Sequence, residues 1–172
     1  MNRSEITQWL KEEDPVRLKA LWKQADEVRR AHVGDDVYLR GLIELSNICA
    51  RNCGYCGIRC TNRDIERYRM SREEILETAD LVSRYDLGTV VLQAAEDPGL
   101  SQEFIAEIIS SIKKRTNQAV TLSLGERELE EITAWREAGA DRYLLRFETS
   151  NSTLYDKIHP PKAGYSWSRF DI

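Results

Sequence analysis

Apolar residues recur along this chain first at helical spacing and then in an alternation of short apolar runs with amphipathic ones. Val16, Leu18, Leu21, Trp22, Ala25 and Val28 return near the 3.6-residue period, which predicts a helix over 15–31, after a shorter one over 5–13. Pro15 suits a first helical turn and Gly34 closes the run. Beyond it, apolar segments predict strands at 37–45, 89–93, 119–124 and 142–147.

Between these strands the period changes to that of helices. Ser71 and Glu74 have capping-box spacing and open one helix. Phe104, Ile105, Ile108, Ile109 and Ile112 line the buried side of a second, over 101–114. A third is predicted over 128–138 with Gly139 as its C-cap, and a short one over 151–158. Strand-helix units in series imply an α/β fold with a parallel sheet covered by helices. Four such units cannot close an eight-stranded barrel of roughly 250 residues. The expectation is therefore a truncated chain, the N-terminal part of a (β/α) TIM-like barrel preceded by N-terminal helices, and a fragment inactive by itself.

Charge narrows the function classes. The chain has 25 Lys and Arg against 29 Asp and Glu, a formal charge of −4, so no electrostatic case exists for nucleic acid or an anionic membrane. No stretch approaches the roughly 20 apolar residues that span a bilayer, and the polar, acidic start is unlike a secretory signal. A cytoplasmic protein is expected.

All four cysteines lie between positions 49 and 60, a layout poor for a disulfide framework and suited to a metal. Cys49, Cys53 and Cys56 are spaced C-x3-C-x2-C directly after a predicted strand, where active sites of parallel α/β folds gather. Three thiolates can hold an iron-sulfur cluster and leave one iron open for chemistry. Cys60 offers a fourth thiol, which keeps a closed electron-transfer cluster and a four-cysteine zinc site as alternatives. Zinc sites more often pair two C-x2-C units across a longer loop, and closed ferredoxin-type clusters seldom need a long strand-helix scaffold. Cys60 is read as an incidental thiol.

With Tyr55 before the last cysteine, the run resembles the C-x3-C-x-Φ-C signature of the radical SAM superfamily. Residues 43–47, 67–70, 91–98, 121–126 and 138–149 narrow the resemblance to the HydE-type maturases of FeFe-hydrogenase. Biotin synthase and methylornithine synthase are the nearest alternatives, and a non-catalytic iron-sulfur electron carrier is the alternative of another class. The resemblance implies a 4Fe-4S cluster on Cys49, Cys53 and Cys56, chelated at its fourth iron by S-adenosylmethionine, which is cleaved reductively to a 5′-deoxyadenosyl radical. It divides the chain into a helical extension, 1–36, and a radical SAM core, 37–172.

The resemblance also assigns contacts. Ala94, Ala95 and Glu96 would meet the amino group of the cofactor's methionine, where the family commonly has Gly or Ser at the two Ala positions. Arg146 and Glu148 would share one strand face and offer opposite charges to a zwitterionic ligand, or else form an internal salt bridge. Arg169 matches an arginine reaching the cofactor carboxylate. Thr121 and Ser123 face one way on their strand, either lining the pocket or filling the core. Phe147 departs from the usual His. His32 and His159 are assigned no role. Expected partners are a small-molecule substrate, an electron donor such as ferredoxin or flavodoxin, and other hydrogenase maturases, with no nucleic acid and no membrane.

Overall fold

A computed structural model describes residues 1–146 and 148–160 of the chain. The N-terminal unit, Met1–Tyr38, is a pair of helices, α1 (Arg3–Leu10) and α2 (Pro15–Val33). Asn2 and Glu5 close a capping box on α1, and Asp14 accepts a hydrogen bond from the Val16 N–H at the start of α2. Neither helix has a buried residue: Trp22 is 64% exposed, while Leu18 and Leu21 are half-buried. Two helices of this length cannot enclose a core of their own.

From Leu39 the second unit runs β1 (Gly41–Ser46), α3 (Arg72–Arg84), β2 (Thr89–Ala94), α4 (Gln102–Arg115), β3 (Ala119–Ser123), α5 (Leu129–Glu137), β4 (Arg142–Tyr143) and α6 (Ser152–Ile158). The strands lie in the order β1-β2-β3-β4, all parallel, with Glu44 beside Gln93 and Gln93 beside Ser123. Ser71 and Glu74 form the expected capping box on α3, and Ser101 caps α4.

Two strands differ from expectation. Residues 37–40 do not join β1, because the ladder to β2 begins at Gly41 opposite Val90, and Val37, Tyr38 and Leu39 are left exposed. The fourth strand stops at Tyr143: only Arg142 and Tyr143 pair with β3, and one further bond, from the Leu144 N–H to the Leu122 carbonyl, ends the ladder. Arg146 and Glu148 therefore lie beyond the strand, and their expected alternation on it does not hold.

Ile43 and Leu45 of β1, Val90 and Leu92 of β2, and Val120 and Leu122 of β3 point to one face, where they pack with Ile75, Leu76 and Ala79 of α3, the four isoleucines of α4, and Trp135 of α5. By strand alternation Leu42, Glu44, Val91, Gln93, Thr121 and Ser123 belong to the other face. Helix-side packing is close: a Cβ at Gly41 would strike Val82.

A bulge between Glu44 and Ser46 turns the Ser46 hydroxyl onto Asp97, to which it donates at 2.6 Å. Arg69 adds two bonds, 2.9 and 2.7 Å, and the Gly99 N–H a fourth, on a carboxylate that is only 1% exposed. Burial alone would raise the Asp97 carboxyl, but these donors outweigh it and hold the group below its ordinary value. Because the native value is depressed, the stabilisation is complete above the ordinary aspartate range and is lost as pH falls through the native value. Asp97→Asn is expected to unfold more easily at pH 7, with the gap to the parent closing below about pH 4; denaturant titrations at both pH values measure it.

Candidate functional site

The parallel ladder brings the C-terminal ends of all four strands to one edge, and the loops leaving them meet there. The loop after β1 carries the cysteines. Arg67 holds it from outside: one guanidinium donates to the carbonyls of Asn47 at 2.5 Å, Ile58 at 2.8 Å, Arg59 at 2.8 Å and Asn62 at 3.3 Å. Asn47 ties the same strand to the loop's return, its side chain bonding the Glu66 carbonyl and the Tyr68 N–H.

A cavity of about 120 Å³ opens against this loop. Cys49, Cys53 and Cys56 line it together with Ala94, Ala95, Glu96, Ser123, Arg146 and Glu148. The sequence thus named nine residues that the fold brings to one place. Of the two others, Thr121 is buried on β3 outside the lining, its hydroxyl oxygen without a hydrogen-bond partner, and Arg169 lies outside the described residues.

Glu96 has two structural duties. Its carbonyl accepts from the Ala50 N–H at 2.8 Å, next to Cys49, and both its carboxylate oxygens face the Glu126 N–H at 3.1 Å. Gly125 makes the second contact possible. It sits at φ +84°, where side chains are strained, and a Cβ there would collide with the Glu96 carboxylate. Tyr143 completes the turn by donating to the Gly125 carbonyl at 2.8 Å.

Arg51, between the first two cysteines, forms a buried ion pair with Glu126, their side chains 7% and 5% exposed. Tyr155 of α6 donates to the other Glu126 oxygen at 3.1 Å. His159, given no role from the sequence, is also buried and lines the cavity. It touches Tyr55 through a 2.8 Å hydrogen bond. Arg51, Glu126, Tyr155 and His159 were not singled out by sequence; the available signals were a cation inside the cysteine loop and a Gly-Glu pair ending a strand.

Burial pushes the Cys49 thiol above its ordinary value, partly offset by the backbone N–H groups of Arg51 and Glu96; the first lies 3.4 Å from the sulfur. Thiols are soft ligands suited to iron-sulfur clusters, and N–H groups directed at sulfur tune such clusters. Among the described residues no three His, Cys, Asp or Glu side chains converge as tightly as a single metal ion requires. Three of the four thiols line one cavity, and cysteine thiolates are the ligands that hold iron-sulfur clusters.

The chain belongs to the radical SAM superfamily, whose family model matches residues 43–169. It is 51% identical over 142 residues to the [FeFe] hydrogenase maturase subunit HydE of Thermotoga maritima, covering 83% of this chain and 40% of that protein. It is 31% identical over 163 residues to 3-methylornithine synthase of Methanosarcina acetivorans, covering 92% of this chain and 46% of that one. The fold superimposes on the crystal structure of methylornithine synthase (PylB) with a TM-score of 0.84 and 28% identity, over 96% of this chain and 48% of the other. The chain thus spans less than half the length of the relatives it matches. The cofactors of this superfamily are a 4Fe-4S cluster and S-adenosylmethionine, which agrees with the donor set of the cavity.

Removing one member of a buried ion pair strands the other charge, a loss of about 3–5 kcal/mol. Arg51→Ala should show a destabilisation of that order in chemical unfolding of the metal-free protein, and Glu126→Gln added to it should restore part.

Proposed function

We propose that the chain binds a 4Fe-4S cluster through Cys49, Cys53 and Cys56, binds S-adenosylmethionine beside it, and serves reductive cleavage of that cofactor during maturation of the FeFe-hydrogenase cofactor. The observation that carries this reading is the single cavity shared by three cysteines and the ends of three further strand-end segments. When bound, the two cofactors supply one-electron cleavage of a sulfonium carbon-sulfur bond.

The chain's own residues hold, orient and exclude. Arg67 and Glu96 fix the cysteine loop before any ligand arrives, which lowers the ordering cost of binding. Ala94 and Ala95 bring their backbone to the cavity wall, where it suits an ammonium group, and Glu96 adds negative charge there. Arg146 and Glu148 supply one charge of each sign to a ligand carrying both, and Ser123 a hydroxyl. Arg146 is steadied from the sheet: it donates to Gln93 Oε1 at 2.7 Å, and Gln93 donates to Glu44 at 2.6 Å. Arg169 would reach the cofactor carboxylate; Thr121, buried outside the lining, is left to the core.

The identity to HydE supports a role on a small-molecule substrate in hydrogenase maturation, and ferredoxin or flavodoxin as electron donor and other maturases as partners are proposed with it. The reading places the enzyme in the cytoplasm, whose reducing conditions keep the cysteines as thiols. Similarity to methylornithine synthase favours a second reading, a methylornithine-synthase-like radical enzyme acting on another small molecule. Restoring hydrogenase activity in a maturase-deficient host, with the chain extended to the length of these relatives, separates the two.

Anaerobic reconstitution with iron and sulfide should give about four irons per chain. Cys49→Ala, Cys53→Ala and Cys56→Ala should each abolish this, whereas Cys60→Ala should not. S-Adenosylmethionine should then shift the electron paramagnetic resonance spectrum of the reduced protein. An unchanged spectrum at full iron loading would overturn the assignment.

A further inference from the structure

The polar groups around the cavity do not end at its walls. Behind Tyr55, and outside the residues assigned to either cofactor, α6 ends in a set of contacts directed back at the cysteine loop. His159 is 6% exposed and Tyr155 2% exposed. Their rings stack with centroids 4.1 Å apart and planes 28° from parallel. His159 Nδ1 lies 3.0 Å from the Tyr155 carbonyl, and Nε2 lies 2.8 Å from the Tyr55 hydroxyl. One residue earlier, the Ile158 carbonyl accepts from the Gly54 N–H at 2.8 Å.

The hydrogen-bond roles follow from the partners. A carbonyl only accepts, so Nδ1 carries the proton and donates to Tyr155. In the neutral ring Nε2 is then an acceptor, and the Tyr55 hydroxyl donates to it. Tyr155, one turn away, is itself held by donating to Glu126, whose N–H is held by Glu96. The tip of the cysteine loop, Gly54 and Tyr55, is thereby joined to a segment more than 100 residues later and, through it, to the loops after β2 and β3.

We propose that His159 is a positioning residue: with the Ile158 carbonyl it latches Gly54 and Tyr55, and so sets the position of Cys56. Arg67 and Glu96 restrain the base of the loop, at Asn47, Ala50 and residues 58–62, and bonds within the loop hold the Cys56 and Gly57 carbonyls; the latch adds the tie from Gly54 and Tyr55 to α6. A ring is needed because it meets two partners on opposite sides at fixed separation while packing flat on Tyr155. Gln offers one donor and one acceptor in a plane and is the conservative replacement; Leu fills the space and offers neither.

The effect on the cluster rests on the ligand assignment above, but the latch itself is measurable in the metal-free protein, so the two fail separately. Amide hydrogen exchange of 53–57 in the metal-free chain should rise about tenfold in His159→Leu and in Tyr55→Phe, with no further rise in the double variant, and His159→Gln should recover part of the protection. In the reconstituted protein, iron release to a chelator should accelerate in the same order. Exchange at 53–57 equal to the parent in both single variants would overturn the proposal, as would additive effects in the double variant. Parent-like iron release alongside raised exchange would leave the latch in place and overturn its role in setting Cys56.

Discussion

Glu96 is the residue through which three loops acquire a common geometry. It follows β2, and its carbonyl and carboxylate each take a backbone N–H from a neighbouring loop, Ala50 on one side and Glu126 on the other. Backbone donors near a binding site must find acceptors or remain open to water, and here one residue accepts for two separate strands. The loop carrying Cys49 and the turn carrying Glu126 are consequently held in register with the sheet. Gly125 is the corresponding concession, a left-handed backbone with no side chain because the carboxylate occupies that space.

The buried charges of the second unit are concentrated on this edge. Asp97 is met by Arg69, Ser46 and the Gly99 N–H; Arg51 meets Glu126; and Arg127 donates to the carbonyls of Asp97, Leu100 and Leu124 while lying over the Trp135 ring. The body of the sheet is held differently, by the apolar layer between strands and helices. A buried polar network is costly wherever a member lacks its partner. Among the described residues its charged members gather at the C-terminal strand ends, where loop-borne ligands need a rigid support, while Gln118 is buried and bonded at the opposite end of β3.

Periodicity made the architecture legible because each parallel strand buries its alternate residues against helices with a clear apolar face. It failed where pairing, not pattern, decides. Val37 and Tyr38 have strand-forming side chains but no strand opposite them among the described residues, and residues 144–146 pass the end of β3's ladder. At the site the cysteine spacing was legible because its ligands are local in sequence. The Arg51–Glu126 pair and the Tyr55–His159 bond join residues 75 and 104 positions apart, and neither partner alone has a pattern that foretells the other. His159 followed by Pro160 has the composition of an exposed loop; only the return of α6 onto the cysteine loop buries it.

The sheet has two faces of unequal purpose, and strand alternation writes them on interleaved positions. Ile43, Leu45, Val90 and Leu92 are committed to helix packing, whereas Leu42, Glu44, Val91 and Gln93 look the other way and are less buried. Neighbouring residues on one strand therefore answer to separate demands. Descendants of such a scaffold can rewrite every second residue of a strand, and with it the chemistry they accommodate, while inheriting the intervening positions unchanged.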